Sequence, residues 1–181
     1  MERKYDDIVK EILVSEEEIL EISKRLGAQI SKDYEGKELV VVGMLKGGMP
    51  FMMDLLKRIT LPVAIDFIQA KSYEGTKSTD YVFLKKDVDT DLRGKHVLIV
   101  DDVLDTAQTI TRVLEVLADR GTASIELCCL LDKKEGRKVQ YNAKYIGKDI
   151  PNEFVIGYGL DYNEYYRNLP YVAIVKDEVY K

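Results

Sequence analysis

The run Val97-Leu-Ile-Val-Asp-Asp-Val-Leu-Asp-Thr-Ala-Gln-Thr109 decides how this 181-residue chain is read. Four apolar β-formers, Val97 to Val100, lead into Asp101 and Asp102, then Asp105, then a small polar turn that opens a helix. A buried strand that delivers acidic side chains at its carboxyl end is where open α/β sheets hold their ligands. Thr106, Ala107, Gln108 and Thr109 set several backbone N–H groups without helical partners at a helix start, which suits a phosphate. Two hydroxyl-accepting carboxylates beside a phosphate cradle describe a ribose phosphate site. The plainer reading of the same residues is a helix N-cap and a solvated turn.

Other acidic-strand chemistries fit less well. A response-regulator pocket wants its Asp pair on the first strand, and here the pair comes past mid-chain. Asp102 and Asp105 have two residues between them, so the phosphatase pattern Asp-x-Asp-x-Thr fails. No Gly-x-x-x-x-Gly-Lys-Ser/Thr occurs. With 46% hydrophobic residues the chain can bury one full core as a single domain. A net charge of −5 and a pI of about 5.1 argue against a nucleic-acid partner. The first residues lack the apolar run of a signal peptide, and no apolar stretch approaches ~18 residues. No membrane association and a cytoplasmic location are therefore expected.

Cys128 and Cys129 are neighbours in an apolar run and would point to opposite faces of a strand, as core thiols. His96 is the one histidine and stands at the far end of the signature strand from the carboxylates. A His-based metal site or a Ser-His-Asp triad cannot be assembled.

Along the chain, Ser15 and Glu18 form a capping box that starts a helix with Ile19, Ile22, Leu26 and Ile30 on one face. Leu39–Leu45 is a continuous apolar strand, Lys46-Gly47-Gly48 a turn, and Met49–Ile59 a helix with Pro50 in its first turn. Strands are expected at Val63–Tyr73 and Tyr81–Lys86, flanking a polar loop from Glu74 to Asp80. His96–Val103 is the signature strand, and Thr106–Arg120 its helix, closed by Gly121. Ser124–Leu131, Val155–Gly159 and Tyr171–Lys176 complete the expected sheet.

Four motifs in order carry a resemblance that runs from about Val40 to Val175. They are Leu45-Lys46-Gly47-Gly48, Ser72-Tyr73 with its polar loop, the signature itself, and Phe154-Val155-Ile156-Gly157-Tyr158-Gly159-Leu160-Asp161-Tyr162-Asn163-Glu164. Together they resemble the type I phosphoribosyltransferases, most narrowly the hypoxanthine-guanine group. The resemblance implies an α/β single-domain fold, with a central, mostly parallel sheet flanked by helices. A small hood would come from the terminal segments, roughly 1–15 and 145–181.

It also implies a purine salvage reaction: phosphoribosyl pyrophosphate and a 6-oxopurine as substrates, Mg²⁺ as cofactor, and a homodimer or homotetramer. Asp101 and Asp102 would accept from the ribose hydroxyls and adjoin Mg²⁺. Asp105 would be general base over the purine N7, against its plainer role as a cap. Thr106, Ala107, Gln108 and Thr109 would bind the 5-phosphate; Ala107-Gln108 stands where the family commonly has Gly-Lys or Gly-Arg. Asp101 likewise stands where relatives usually have Glu. Lys46 and Gly47, across a cis Leu45–Lys46 peptide, and Arg167 would hold pyrophosphate, with Asp161 on a second Mg²⁺. Lys133 (with Lys134 adjacent) would meet the purine 6-oxygen, Phe154 would stack on the ring, and the Val155 carbonyl would meet the base edge. Ser72 and Tyr73 would begin a closing lid. The competing function is a regulator that binds phosphoribosyl pyrophosphate or a nucleotide, and RNA, without turnover.

Overall fold

The computed structural model describes residues 7–72 and 82–180. The first half of the chain runs β1 (Val9–Val14), α1 (Glu16–Asp33), β2 (Leu39–Met44), α2 (Met49–Leu56), β3 (Val63–Ser72), β4 (Val82–Lys86) and β5 (His96–Leu104). The second half runs α3 (Gln108–Ala118), β6 (Ser124–Asp132), β7 (Tyr145–Asp149), β8 (Val155–Ile156), β9 (Val172–Val175) and α4 (Asp177–Tyr180). Six strands form one sheet in the order β4-β3-β2-β5-β6-β7, parallel except for β4.

Every residue of β2 and Val97–Val100 of β5 are buried, because helices cover both faces of the sheet. On one face α1 and α2 pack on Leu39, Val41, Leu98 and Val100. On the other, Ile110, Val113 and Leu117 of α3 pack on Val40, Val42, Val97 and Ile99. Cys128 joins the first cluster and Cys129 the second, so the alternation of the strand separates the two thiols as expected. Burial pushes both thiols up, and they stay protonated packing groups.

The α1 helix begins at its expected cap, with the Glu18 N–H donating to Ser15 Oγ at 3.2 Å. Its stripe of Ile19, Ile22, Leu26 and Ile30 is buried. Helix α2 stops at Leu56 rather than Ile59. There the chain turns so that Arg58 seats directly on Gly27, where a β-carbon would lie 2.5 Å from Arg58 Cβ. Arg25 of α1 reaches across the sheet edge, its Nη2 donating to the carbonyls of Ile146 and Gly147 on β7 at 3.2 and 2.7 Å.

The terminal strands depart from the expected layout. Val155–Ile156 and Val172–Val175 do not extend the main sheet; with β1 they form a separate antiparallel sheet, ordered β1-β9-β8. Strand β8 also ends before the expected Gly159, because Gly157, Tyr158 and Gly159 all take left-handed backbone conformations (φ +94°, +50° and +101°). Conversely Tyr145–Asp149, expected in the hood, is the edge strand of the main sheet beside β6. Its Tyr145 is held in the main core and donates its hydroxyl to Asp33 at 2.8 Å. The expected lid residue Ser72 ends β3, whereas Tyr73 and the polar loop after it lie outside the described residues. Among the described residues no helix is long and apolar enough to cross a membrane.

One buried carboxylate fixes the approach to β5. Asp66 on β3 is 7% exposed and accepts from the backbone N–H groups of Phe67 (2.7 Å), Asp89 (2.8 Å) and Thr90 (2.8 Å). Burial pushes its pKa up, but these bonds together override that and hold it at about 2. The depressed pKa contributes about 2 kcal/mol of stability above the unfolded value, lost as pH falls through about 2. Asp66→Asn is expected to destabilise the fold by about 2 kcal/mol near neutrality, since an amide cannot accept three bonds in the same way. Urea unfolding as a function of pH checks this: the gap between the two proteins should narrow between pH 4 and pH 2.

Candidate functional site

The site is built at the carboxyl end of β5, which carries the strand one residue past the expected Val103. Asp101 and Asp102 emerge there side by side and half-buried. Each carboxylate accepts from the next backbone N–H: Asp102 N to Asp101 Oδ1 at 3.0 Å, and Val103 N to Asp102 Oδ1 at 2.8 Å. Loss of water around them pushes the Asp101 carboxyl well above the usual range, and the Asp102 charge adds to it. Burial raises Asp102 as well, against the pull of its hydrogen bonds and the Arg167 guanidinium. A pair of crowded carboxyls is a place that sugar hydroxyls or a cation would relieve.

The loop after the strand is strapped from behind. The Thr106 carbonyl accepts from the N–H groups of Lys138 and Val139, both at 3.1 Å. Arg137 donates Nη1 to the Asp105 carbonyl at 2.7 Å and pairs Nη2 with the buried Asp132 carboxylate. The Arg137 guanidinium is thus committed to the loop backbone and to Asp132 rather than to solvent. Nothing in the local sequence marks that role, because the Asp105 carbonyl, 32 residues away, reaches Arg137 only through the fold.

Helix α3 starts at Gln108, two residues later than expected, because Ala107 takes a left-handed conformation (φ +64°). The first main-chain helical bond runs from Thr111 N to the Ala107 carbonyl. Thr106, Ala107, Thr109 and Ile110 therefore keep N–H groups with no acceptor among the described residues. The Thr106 hydroxyl faces the same opening and accepts weakly from Gln108 N at 3.4 Å.

Above the loop, Lys133 is 8% exposed and brings its Nζ to 3.8 Å from Asp105 Oδ2. Lys134 points away and pairs with Asp149 at 2.6 Å. Of the two adjacent lysines, Lys133 is the one at the site. Gly136 adds a further constraint, since a β-carbon there would stand 2.1 Å from Asp105 Oδ1.

The opposite wall comes from the turn after β2 and from the hood. The Leu45–Lys46 peptide is cis, as the resemblance implied. A β-carbon on Gly47 would lie 1.7 Å from Asp102 Oδ2, and one on Gly159 would lie 2.0 Å from the Gly47 carbonyl oxygen. Arg167 donates Nη1 to the Gly159 carbonyl at 2.7 Å and pairs with Asp161 at 2.8 Å. Glu164 Oε2 stands between Lys46 Nζ (2.7 Å) and Arg167 Nη2 (3.4 Å), and those cations lower its pKa, Lys46 foremost. The adjoining recess of about 590 Å³ shares Lys46 and Arg167 but is otherwise largely apolar, with Leu45, Met49, Pro50, Tyr158 and Leu169. None of Asp101, Asp102 or Asp105 lines it, so it is a neighbour of the carboxylate site.

Phe154 and Val155 lie at the hood. Val155 is buried opposite Ile174, and the Phe154 ring stacks on Tyr180 (centroids 5.0 Å apart) with Tyr162 edge-on (5.8 Å). No three Asp, Glu, His or Cys side chains among the described residues converge on a common point. Mg²⁺ does not need such a cage, since it commonly takes one or two carboxylates and completes its shell with water and phosphate oxygens. The Asp101–Asp102 pair fits that use.

A strand-end acidic pair, a following helix start with open N–H groups and a glycine turn opposite define a phosphoribosyl-binding α/β protein. The family model for the phosphoribosyl transferase domain matches residues 10–163, and the chain belongs to that family. A curated hypoxanthine-guanine phosphoribosyltransferase of Streptococcus pneumoniae is 49% identical over 173 residues, covering 95% of this chain and 96% of its own. One from Staphylococcus aureus is 51% identical, covering 95% and 97%. The crystal structure of a hypoxanthine phosphoribosyltransferase from Staphylococcus aureus superposes with a TM-score of 0.96 at 49% identity, covering 100% of this chain and 99% of that one.

Ala107 carries the clearest local strain in the loop, because a β-carbon in the left-handed region costs about 1 kcal/mol. Ala107→Gly is expected to stabilise the protein by up to about 0.5 kcal/mol, because the added freedom of the unfolded chain offsets part of the relieved strain. Thermal melting of the purified variant checks it.

Proposed function

We propose that the protein transfers the 5-phosphoribosyl group of phosphoribosyl pyrophosphate to N9 of hypoxanthine or guanine. The carrying observation is the carboxyl end of β5, where an acidic pair and open helix-start N–H groups stand within one strand-loop-helix unit and Lys133, just past the end of β6, brings its Nζ to 3.8 Å from Asp105. The names of the relatives favour this transferase over a binding-only regulator.

In the reaction the purine N9 bonds to C1 of the ribose while the C1–O bond to pyrophosphate breaks, its electron pair leaving with pyrophosphate. The purine loses one ring proton, which Asp105 takes at its exposed carboxylate. Lys133 donates to the 6-oxygen and meets a 6-amino group as a donor against a donor, which disfavours adenine.

Thr106, Ala107, Gln108 and Thr109 receive the 5-phosphate on backbone N–H groups and hydroxyls. Gln108 brings no charge, so dipoles and neutral hydrogen bonds hold the phosphate in this loop. Asp101 and Asp102 accept from the 2- and 3-hydroxyls beside the oxocarbenium character that develops at the sugar. Lys46, Gly47 and Arg167 take the departing pyrophosphate. One Mg²⁺, held by Asp101 and Asp102, and a second, held by Asp161, would neutralise pyrophosphate charge when bound. Phe154 stacks on the purine and the Val155 carbonyl meets its edge; Tyr180 behind Phe154 supports that ring. The lid reading of Ser72 and Tyr73 and a homodimeric or homotetrameric assembly rest on the family resemblance.

A spectrophotometric assay with phosphoribosyl pyrophosphate, Mg²⁺ and each of hypoxanthine, guanine, xanthine and adenine tests the proposal. Turnover of a 6-oxopurine is expected, falling about 10²–10⁴-fold in Asp105→Asn. Binding of phosphoribosyl pyrophosphate without turnover of any base would overturn it. Lys133→Gln is expected to raise KM for hypoxanthine about tenfold or more and to narrow the discrimination against adenine.

A further inference from the structure

Both cations assigned to pyrophosphate already share an anion in the protein itself. One carboxylate oxygen, Glu164 Oε2, meets Lys46 from the turn after β2 and Arg167 from the hood. Glu164 sits on a tight turn closed by reciprocal backbone bonds between Tyr162 and Tyr165 (3.2 and 3.1 Å). Asn163, Glu164 and Tyr166 all hold left-handed backbone (φ +53°, +70° and +72°), a concentration of strain that aims the Glu164 side chain back over the site. The Glu164 N–H is tied to Asp161 at 2.9 Å, and Asp161 is the second partner of Arg167.

We propose that Glu164 is a placeholder anion that stands between Lys46 and Arg167 in the free protein and is exchanged for pyrophosphate during turnover. The inference rests on the pyrophosphate assignment of those two cations. The exchange is easy in both directions. The Glu164 side chain is 64% exposed, so its departure leaves no buried charge, and solvent-exposed ion pairs bind weakly. Pyrophosphate carries more charge and displaces it. When product leaves, the carboxylate returns and prevents the two cations from retaining the leaving group. Arg167 keeps its Asp161 and Gly159 contacts throughout, so the guanidinium stays placed while its outward partner changes.

The test is calorimetric titration of inorganic pyrophosphate, in magnesium buffer at low ionic strength, into the wild type, Glu164→Gln, Glu164→Ala and Glu38→Gln. Glu38 pairs with Lys95 at the opposite end of the sheet, so its variant removes an equal charge far from the site. Both Glu164 variants are expected to bind pyrophosphate about three- to tenfold more tightly, from the loss of two exposed pairs. The difference should shrink as salt is raised, and Glu38→Gln should match the wild type. In turnover, Glu164→Gln should lower KM for phosphoribosyl pyrophosphate and lower kcat with it, as release slows. Unchanged or weaker binding in folded Glu164 variants, or equal tightening in Glu38→Gln, overturns the proposal. If no protein in the series binds pyrophosphate, the assignment of Lys46 and Arg167 fails first, and this inference with it.

Discussion

Asp102 can stand where it does only because residue 47 has no side chain. The 1.7 Å between its Oδ2 and the place a Gly47 β-carbon would occupy is far inside any contact distance. Gly159 presses on the Gly47 carbonyl from the other side in the same manner. Three segments from distant parts of the chain thus meet as bare backbone around one carboxylate. The catalytic strand, the turn after β2 and the hood are registered against one another by that contact. A β-carbon at either glycine would separate the groups proposed to bind the sugar from those proposed to bind pyrophosphate, and the proposed reaction needs them together.

Around this contact the charges are arranged in pairs, and the pairing differs with depth. The innermost pair, Asp132 with Arg137, is nearly sealed from solvent and holds the phosphate loop by its backbone. Asp105 with Lys133 is intermediate: the lysine is buried and the carboxylate open to solvent. The outermost, Lys46 with Glu164, is exposed on both sides. Rigidity is greatest where the loop is held by its backbone, and least at the exposed Lys46–Glu164 pair. Removing one partner of the buried pair would strand a charge, whereas the outer pair can open at little expense.

The central part of the fold was legible in the sequence because it obeys local rules. The Ser15 cap, the buried stripe of α1 and the apolar runs of β2 and β5 all state their environment directly. The strand-end carboxylates were legible for the same reason. The hood strands were misassigned because Val155–Ile156 is too short to declare a partner, and because the positive-φ bend at Tyr158 has no residue-type signal. Tyr145–Asp149 was missed as an edge strand: it is short and carries Gly147, so alternation never develops. The late start of α3 follows from an alanine in a conformation usually left to glycine, which composition cannot announce. Arg137 and Glu164 escaped notice because their partners lie across the tertiary structure or across a strained turn.

The reach of Arg25 to β7 bears on how this protein behaves at high concentration. An open sheet ends in strands whose outward carbonyl and N–H groups can template another chain. On the β7 side, a guanidinium from α1 occupies two consecutive carbonyls of that edge. A strand arriving from a second molecule would have to displace the Arg25 Nη2 before it could pair there. Arg25 thus covers part of the edge that an incoming strand would use, and β7 is a less open template than a bare edge strand would be.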